Sequence, residues 1–292
     1  PYTSGYSSVL QNIGAVRNRG VEINTYIKTI DGKNFKWETG INIAFNRNKV
    51  LTLYDGKDLA SGSQRISVGR DMYSWYLRKW AGVDPQNGDP LWEIVTTDAG
   101  GNEKITATNN FNLATLQFVG TASPDFTGGI NNMIAYKNFT LGAYANFVYG
   151  NTVLNSQRSA FDNDGANPEY NSMVLYKGWK RWSQPGDIAT HPLPVVGGNK
   201  NAQQGSSRYL ENGSYIRLQN ITLGYDFSDD FLRKMKVDHI RLYLSGDNLW
   251  TGANFSGMDP ETPLSPGAGS IGVSNIKYPI SKKILLGINV GF

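Results

Sequence analysis

The chain has 292 residues, of which 39% are hydrophobic and only 18% charged, with 33 Gly, 16 Tyr, 12 Phe and 7 Trp, a formal charge of +4 and no cysteine. Without cysteine there are no disulfides and no thiolate metal sites; so small a net charge gives no case for nucleic acid, and no apolar run is long enough for a transmembrane helix. A β-barrel stays open, because its strands need about ten residues and are apolar on one side only.

The opening PYTSGY has neither an initiator Met nor a signal-peptide pattern, so the chain reads as a fragment or a processed product. Seven segments then alternate with the period of a strand. GVEINTYIKT sets Val21, Ile23, Thr25 and Ile27 against Glu22, Asn24, Tyr26 and Lys28, and DGKN after it is a hairpin signal. FKWETGINIAFNRN sets Phe35, Trp37, Ile41, Ile43 and Phe45 against Lys36, Glu38, Asn42 and Asn46. FTGGINNMIAY and FTLGAYANFVYG follow, joined by a tight turn at Lys137 and Asn138. SYIRLQNITLGYDF alternates cleanly only in its second half, and HIRLYLSGDNLW sets Ile240, Leu242 and Leu244 against Arg241, Tyr243 and Ser245. The last segment, ISKKILLGINVGF, aligns Ile284, Leu286, Ile288, Val290 and Phe292. No amphipathic helix of three turns is predicted.

Short connections (Ile30 to Asn34, Lys137 to Asn138, Ser228 to Asp238) alternate strictly with long ones (Lys49 to Asp125, Asn151 to Gly213, Thr251 to Pro279). In an up-and-down meander this puts every short turn at one end and every long loop at the other, the anatomy of an outer-membrane barrel. Aromatic residues gather near strand ends, as in an interfacial girdle. Seven strands cannot close such a barrel, which has an even number of strands, and an open sheet in lipid leaves backbone groups unpaired. Either further strands hide inside a long loop or the seven are one arc of a larger wall, and the missing start of the chain favours the arc. Further strands are expected at Arg65 to Val68, Tyr73 to Arg78 and Leu91 to Val95, inside external hairpins.

Seven stretches together, in order, carry a resemblance: NIGAVRNRGVEINTYI (from Asn12), FKWETGINIAFNRNKV, WAGVDPQNGDPLWE (from Trp80), SPDFTGGINNMIAYKNFTLGAYANFVYG (from Ser123), GSYIRLQNITLGYDF, RLYLSGDNLWTGANFSGMDPE and YPISKKILLGINVGF. Across nearly its whole length the chain resembles the C-terminal part of a SusC/RagA-type TonB-dependent outer-membrane transporter of the Bacteroidetes. The resemblance implies an all-β, antiparallel 22-stranded barrel around an N-terminal plug, with residues 1–292 supplying roughly the last seven strands. It implies a SusD-like surface lipoprotein, energy relayed by TonB through an N-terminal region, import of oligosaccharides or peptides, and surroundings of lipid bilayer and lipopolysaccharide. It also implies that Phe292, the terminal aromatic, is read by the barrel-assembly machinery. Some members carry a D-x-N-x-D-G calcium-like stretch after the GDPLW element. Here TTDAGGNEKITATNN keeps Asp98 and Glu103 without the full oxygen-ligand series, so no metal is assigned.

Alternation alone assigns a wet lumen lined by Glu22, Asn24, Lys36, Glu38, Asn42, Asn131, Tyr144, Asn146, Asn220 and Thr222, whose roles are substrate contact or packing against the plug. In the long loops, Trp75, Tyr76, Trp80, Trp92, Trp179, Arg181 and Trp182 are candidates for loop packing, partner contact or substrate contact. GVDPQNGDP and GMDPE read as rigid turns rich in Asp-Pro and Asn-Gly. Neither His191 nor His239 has a metal-ligating neighbour at ligand spacing, and no nucleophile elbow or phosphate loop occurs, so no catalytic residue and no cofactor is assigned. A soluble secreted carbohydrate-binding module is the alternative of a different class, and a glycan-cleaving β-enzyme a third.

Overall fold

A computed structural model describes residues 5, 14–171, 173–261, 271–276, 278 and 280–292. Apart from Gly5 the PYTSGY start lies outside them, as do the first two residues of the NIGAVRNRG stretch and Pro279 of the last motif.

The chain begins with two long strands, β1 (Gly14–Asp31) and β2 (Phe35–Leu53). The first long connection holds β3 (Leu59–Ser61), β4 (Gln64–Ile66), β5 (Ser74–Arg78), β6 (Trp80–Val83), β7 (Pro90–Thr97), β8 (Glu103–Thr108) and β9 (Leu116–Thr121). Next come β10 (Phe126–Tyr136) and β11 (Phe139–Tyr149), then a second long connection with β12 (Thr152–Asn155), α1 (Ser156–Phe161) and β13 (Leu210–Asn212). The chain continues through β14 (Tyr215–Asp226), α2 (Asp229–Met235) and β15 (His239–Ala253) to β16 (Val273–Ser274) and β17 (Lys283–Gly291).

The seven alternating segments form one seven-stranded sheet in the order β1-β2-β10-β11-β14-β15-β17, every neighbour antiparallel. This is the expected meander, since each strand pairs with the next alternating segment of the sequence. The three extra strands expected in the loop appear as β4, β5 and β7. The other short strands were not legible, being two to six residues long and set among glycines. They build three small sheets, β3-β4-β5-β9, β6-β7-β8 and β13-β12-β16. The uneven first half of the fifth segment also has a cause. The register slips between Leu218 and Asn220 against β15, and between Tyr144 and Ala145 against β14, so Gln219 is a bulge and the side-chain phase changes there.

Two turns of α2 fill the longest of the short connections. Asp229 and Asp230 lie in its first turn, Arg233 and Lys234 in its last, the polarity that suits a helix dipole. Arg233, Lys234 and the capping Lys236 thus gather at one helix end. Little of the wall is buried: the central cluster is Trp75, Ala122 and Ile271, in the loops.

Candidate functional site: two faces of the wall and a loop cap

Residues paired across antiparallel strands point to the same side, so the register sorts the wall into two faces. The apolar face carries Val21, Ile23, Ile41, Ile43, Ile130, Leu141, Ile221, Leu244, Leu286 and Ile288. Two aromatic bands border it. At the loop end Phe126 meets Phe45 at 5.7 Å, Phe147 at 6.1 Å and Tyr149 at 4.9 Å. At the turn end Tyr225 meets Phe139 at 4.8 Å and Phe227 at 5.1 Å. From Phe139 to Phe147 the strand rises about 26 Å, or about 20 Å along the normal if tilted ~40°, close to the ~25 Å apolar belt of outer-membrane barrels. The polar atoms on this face satisfy one another: Asn132 Oδ1 accepts from Trp37 Nε1 at 3.1 Å and from Thr39 Oγ1 at 2.9 Å.

The other face is polar, and the loops fold onto it. Asn48 donates to Ser123 Oγ at 3.1 Å and accepts from the Met72 N–H at 2.6 Å. Arg217, almost fully buried, donates to Glu261 Oε2 at 2.8 Å, Asp259 Oδ1 at 2.6 Å and Thr251 Oγ1 at 3.1 Å. GMDPE is therefore a clamp on Arg217, and its carboxylates are occupied.

All ten polar candidates lie on this loop-covered face. One rung runs Gly40, Asn131, Tyr144, Asn220, Asp247 across five strands, and the adjacent one runs Asn24, Asn42, Gly129, Asn146. Tyr144 lies across Gly129, where a Cβ would come within 2.8 Å of its hydroxyl, so its ring covers the wall instead of standing off it. Asn220 donates to Asp247 Oδ1 at 2.7 Å and Ser245 Oγ at 3.2 Å, and Thr222 lies 2.9 Å from the Ser245 hydroxyl. Ser245, Asp247 and Arg217 join the same face; the alternation of their own segments could have found the first two.

The loop aromatics behave differently from partner residues. Trp75 and Trp92 are fully buried and Trp182 nearly so, which removes all three as contacts for another molecule. Trp75 Nε1 donates to Thr152 O at 2.9 Å and Trp182 Nε1 to Pro85 O at 3.0 Å, tying separate loops together. Trp182 also packs on Gly88, whose φ of +75° and lack of a Cβ the contact requires. The GVDPQNGDP segment is held locally as well, Asp84 Oδ1 accepting from the Gln86 N–H at 2.9 Å. Trp80 stands edge-on to Trp92 at 5.7 Å, and Tyr76 packs on Phe118 at 4.8 Å beneath the Arg65 guanidinium. Trp179 sits under the Arg158 guanidinium, 4.4 Å away.

Sequence reasoning missed the ionic centre of the second loop. Asp162 and Asp164 are fully buried. Asp162 Oδ2 accepts from His191 Nε2 at 2.8 Å, Arg158 Nη2 at 3.2 Å and Arg208 Nη2 at 3.4 Å, while Arg181 Nη2 lies 3.5 Å from Oδ1. Asp164 binds Arg181 Nη1 at 2.7 Å and also pairs with Arg208. Arg158 reaches on to Glu211 at 2.9 Å, and Glu211 accepts from the Ser256 hydroxyl at 2.6 Å in the third loop. Burial would push the Asp162 carboxyl up; the His191 hydrogen bond and the Arg208, His191 and Arg158 charges outweigh it and hold it down at about 2. Burial pushes the Tyr209 phenol up. Thr190 Oγ1 lies 2.8 Å from His191 Nδ1, so a hydroxyl, an imidazole and a carboxylate stand in line. Three guanidiniums share that carboxylate, which makes it the hub of an ion-pair cluster, and the row is structural. His191 is thus a buried tie. The partners of Asp162 lie up to 46 residues away, so no local spacing marks the cluster.

The acidic group of TTDAGGNEK is occupied by its own backbone. Asp98 Oδ1 accepts from the N–H groups of Gly100 at 2.8 Å and Asn102 at 2.9 Å, and the Asn102 bonds hold its carboxyl below the usual range. Among the described residues no carboxylate and histidine cluster is arranged for a metal.

A half-apolar antiparallel sheet with two aromatic bands and one-sided loops is the wall of a transmembrane β-barrel. No family model matches the chain. Known proteins do. Over all of its length it is 30% identical to the TonB-dependent receptor P3 of Formosa agariphila, covering 30% of that protein. It is 24% identical to the TonB-dependent receptor SusC of Bacteroides thetaiotaomicron, over 99% of this chain and 28% of SusC. The RagAB peptide transporter superposes on the whole chain with a TM-score of 0.81 at 26% identity, the chain covering 31% of that structure's. The 'open-open' RagAB peptide importer gives the same TM-score at 25% identity. The chain belongs among the TonB-dependent receptors of the SusC/RagA type, in the bacterial outer membrane, and spans about 30% of the length of the relatives it matches. Those relatives are receptors and transporters, neither enzymes nor secreted binding modules.

Proposed function

We propose that residues 1–292 form the C-terminal arc of a 22-stranded barrel that imports oligosaccharides or peptides with energy relayed by TonB. The observation that carries this reading is the placement of all ten polar candidates on the face covered by the loops, opposite an apolar face bordered by two aromatic bands. On the inner side, Glu22, Lys36, Glu38, Asn24 and Asn42 contact the plug or substrate, and the Asn131–Tyr144–Asn220 rung gives a hydrogen-bonding path. The segment does no covalent chemistry; it supplies wall and vestibule. A SusD-like lipoprotein rests on the second loop. With three of the tryptophans buried, its contact falls on the exposed apolar residues there: Val174, Ile188 and Val196, which are 83–92% exposed, and Tyr176. Phe292, 93% exposed at the end of β17, serves as the assembly signal.

The test is site-directed spin labelling of the full-length receptor in lipid vesicles. Labels at Ile41, Leu141 and Ile288 should be relaxed by oxygen and by lipid-borne quenchers, and labels at Asn24, Asn146 and Thr222 by a water-soluble nickel chelate. The opposite pattern sinks the reading.

A further inference from the structure

Residues 271–276 of the third loop run between the first loop and the second, and they are held mainly by their own main chain. Four of their carbonyls accept hydrogen bonds: Ile271 O from Gln64 Nε2 at 2.9 Å, Gly272 O from the Leu154 N–H at 2.9 Å, Ser274 O from Ser156 Oγ at 2.7 Å and Asn275 O from Gln157 Nε2 at 2.6 Å. The first donor belongs to the first loop and the other three to the second. Val273 and Ser274 also lie parallel to Leu154 and Asn155 as a two-residue strand. Loops that read carbonyls in this way take an extended peptide and select little among its side chains.

Side-chain selection falls at two positions. Ile271, 5% exposed, sits with Trp75 and Ala122, and Tyr73 and Val119 pack against that cluster. Gly272 follows at a φ of +74°, so close that a Cβ there would come within 2.4 Å of the Ala122 Cβ and 3.0 Å of the Trp75 ring. Past this pair the segment turns outward, with Asn275 and Ile276 exposed. The socket is also larger than its occupant. A cavity of about 300 Å³ continues it from Ile271 and Tyr73 to Asn46 and Asn48 on the inner face of the wall. A permanent core is packed nearly without voids; this socket keeps room for a bigger apolar side chain.

We infer that the first and second loops form a binding groove for an extended peptide with an apolar residue followed by glycine, and that residues 271–276 are its built-in occupant, locking the two loops together. The lock is exchangeable, because it consists of one buried side chain, a two-residue strand and hydrogen bonds to carbonyls that any peptide main chain carries. A peptide of the same pattern arriving from outside competes for the groove and frees the first loop from the second. The lock is a property of the loops and is independent of what the barrel imports.

The full-length receptor in detergent micelles tests this, by hydrogen exchange and by calorimetric titration with the peptide acetyl-IGVSN-amide. Ile271→Asp expels the segment from its socket. Exchange should then rise at least about tenfold both at residues 64–77 and at residues 152–157. The peptide should bind the variant at least about tenfold more tightly than the wild type, whose own segment occupies the groove. Saturating peptide should return both regions toward wild-type protection. Acetyl-FGVSN-amide, whose ring enters the cavity, should bind the variant at least as tightly, and acetyl-IAVSN-amide should not bind. If Ile271→Asp does not assemble, Gly272→Ala serves, with smaller changes in the same direction. Exchange changes confined to the third loop, no peptide binding to either form, equal binding to both, or equal binding of the alanine peptide each overturn the groove. Heat-modifiable migration and the spin-label pattern report separately on the barrel and its orientation, so failure of the import reading is distinguishable from failure of the lock.

Discussion

The wall and the second loop place opposite kinds of side chain against opposite surroundings. In the wall, Ile284, Leu286 and Ile288 are 62–74% exposed, and no protein core covers them. In the loop, Asp162, Asp164 and His191 are at most 1% exposed, and Arg158 and Arg208 are almost as deep. A membrane supplies the missing apolar partner for the first set. The second must be self-sufficient, because buried charges are stable only when paired and hydrogen-bonded. The difference teaches that in this chain stability is drawn from lipid across the strands and from ion pairing above them.

The largest effect that would break this contrast is Asp162→Asn. It leaves Arg181 and Arg208 with Asp164 alone and Arg158 with Glu211 alone, and should cost the loop about 3 kcal/mol. Protease nicking within residues 151–213 should rise sharply while the barrel keeps its heat-modifiable migration; an unchanged digestion pattern would mean that the cluster does not hold the loop. On the wall side, Ile284→Arg puts a charge on the rung of Ala143 and Ile221, midway between the aromatic bands. It should destabilise the receptor in liposomes by about 2–4 kcal/mol in guanidinium titrations, whereas Asn24→Arg on the opposite face should have little effect. The smallest effect is on pH dependence. Asp162 titrates at about 2 in the fold and near 4 in an open chain, so its contribution is complete above about pH 4 and is lost as pH falls through 2. Loop protection against hydrogen exchange should drop by about 2 kcal/mol between pH 4.5 and 2 in wild type, and show no such step in Asp162→Asn.

Legibility follows the same division. The strand at 126–136 and its partner ending at Tyr149 were readable almost to the residue, because a strand between lipid and a wet interior must alternate at every position. The fifth strand was blurred only where Gln219 bulges. Trp182 and Trp92 could not be placed from sequence, since an aromatic residue in a loop has the same composition whether it packs inward or faces a partner. That the ten polar residues share one face was readable through period two, but the place of Arg217 was not, because its partners Asp259 and Glu261 come from the other side of a hairpin and a turn.

By itself the sequence determined the seven wall strands, their order, and which side chains share a face, since those depend on neighbours one or two positions away. Tertiary structure alone decided which face the loops cover, that Asp162 and Asp164 meet Arg158, Arg181, Arg208 and His191, and that Arg217 meets Asp259 and Glu261. Such contacts join residues tens of positions apart, and the free energy that selects them exists only once the backbone has brought the charges together.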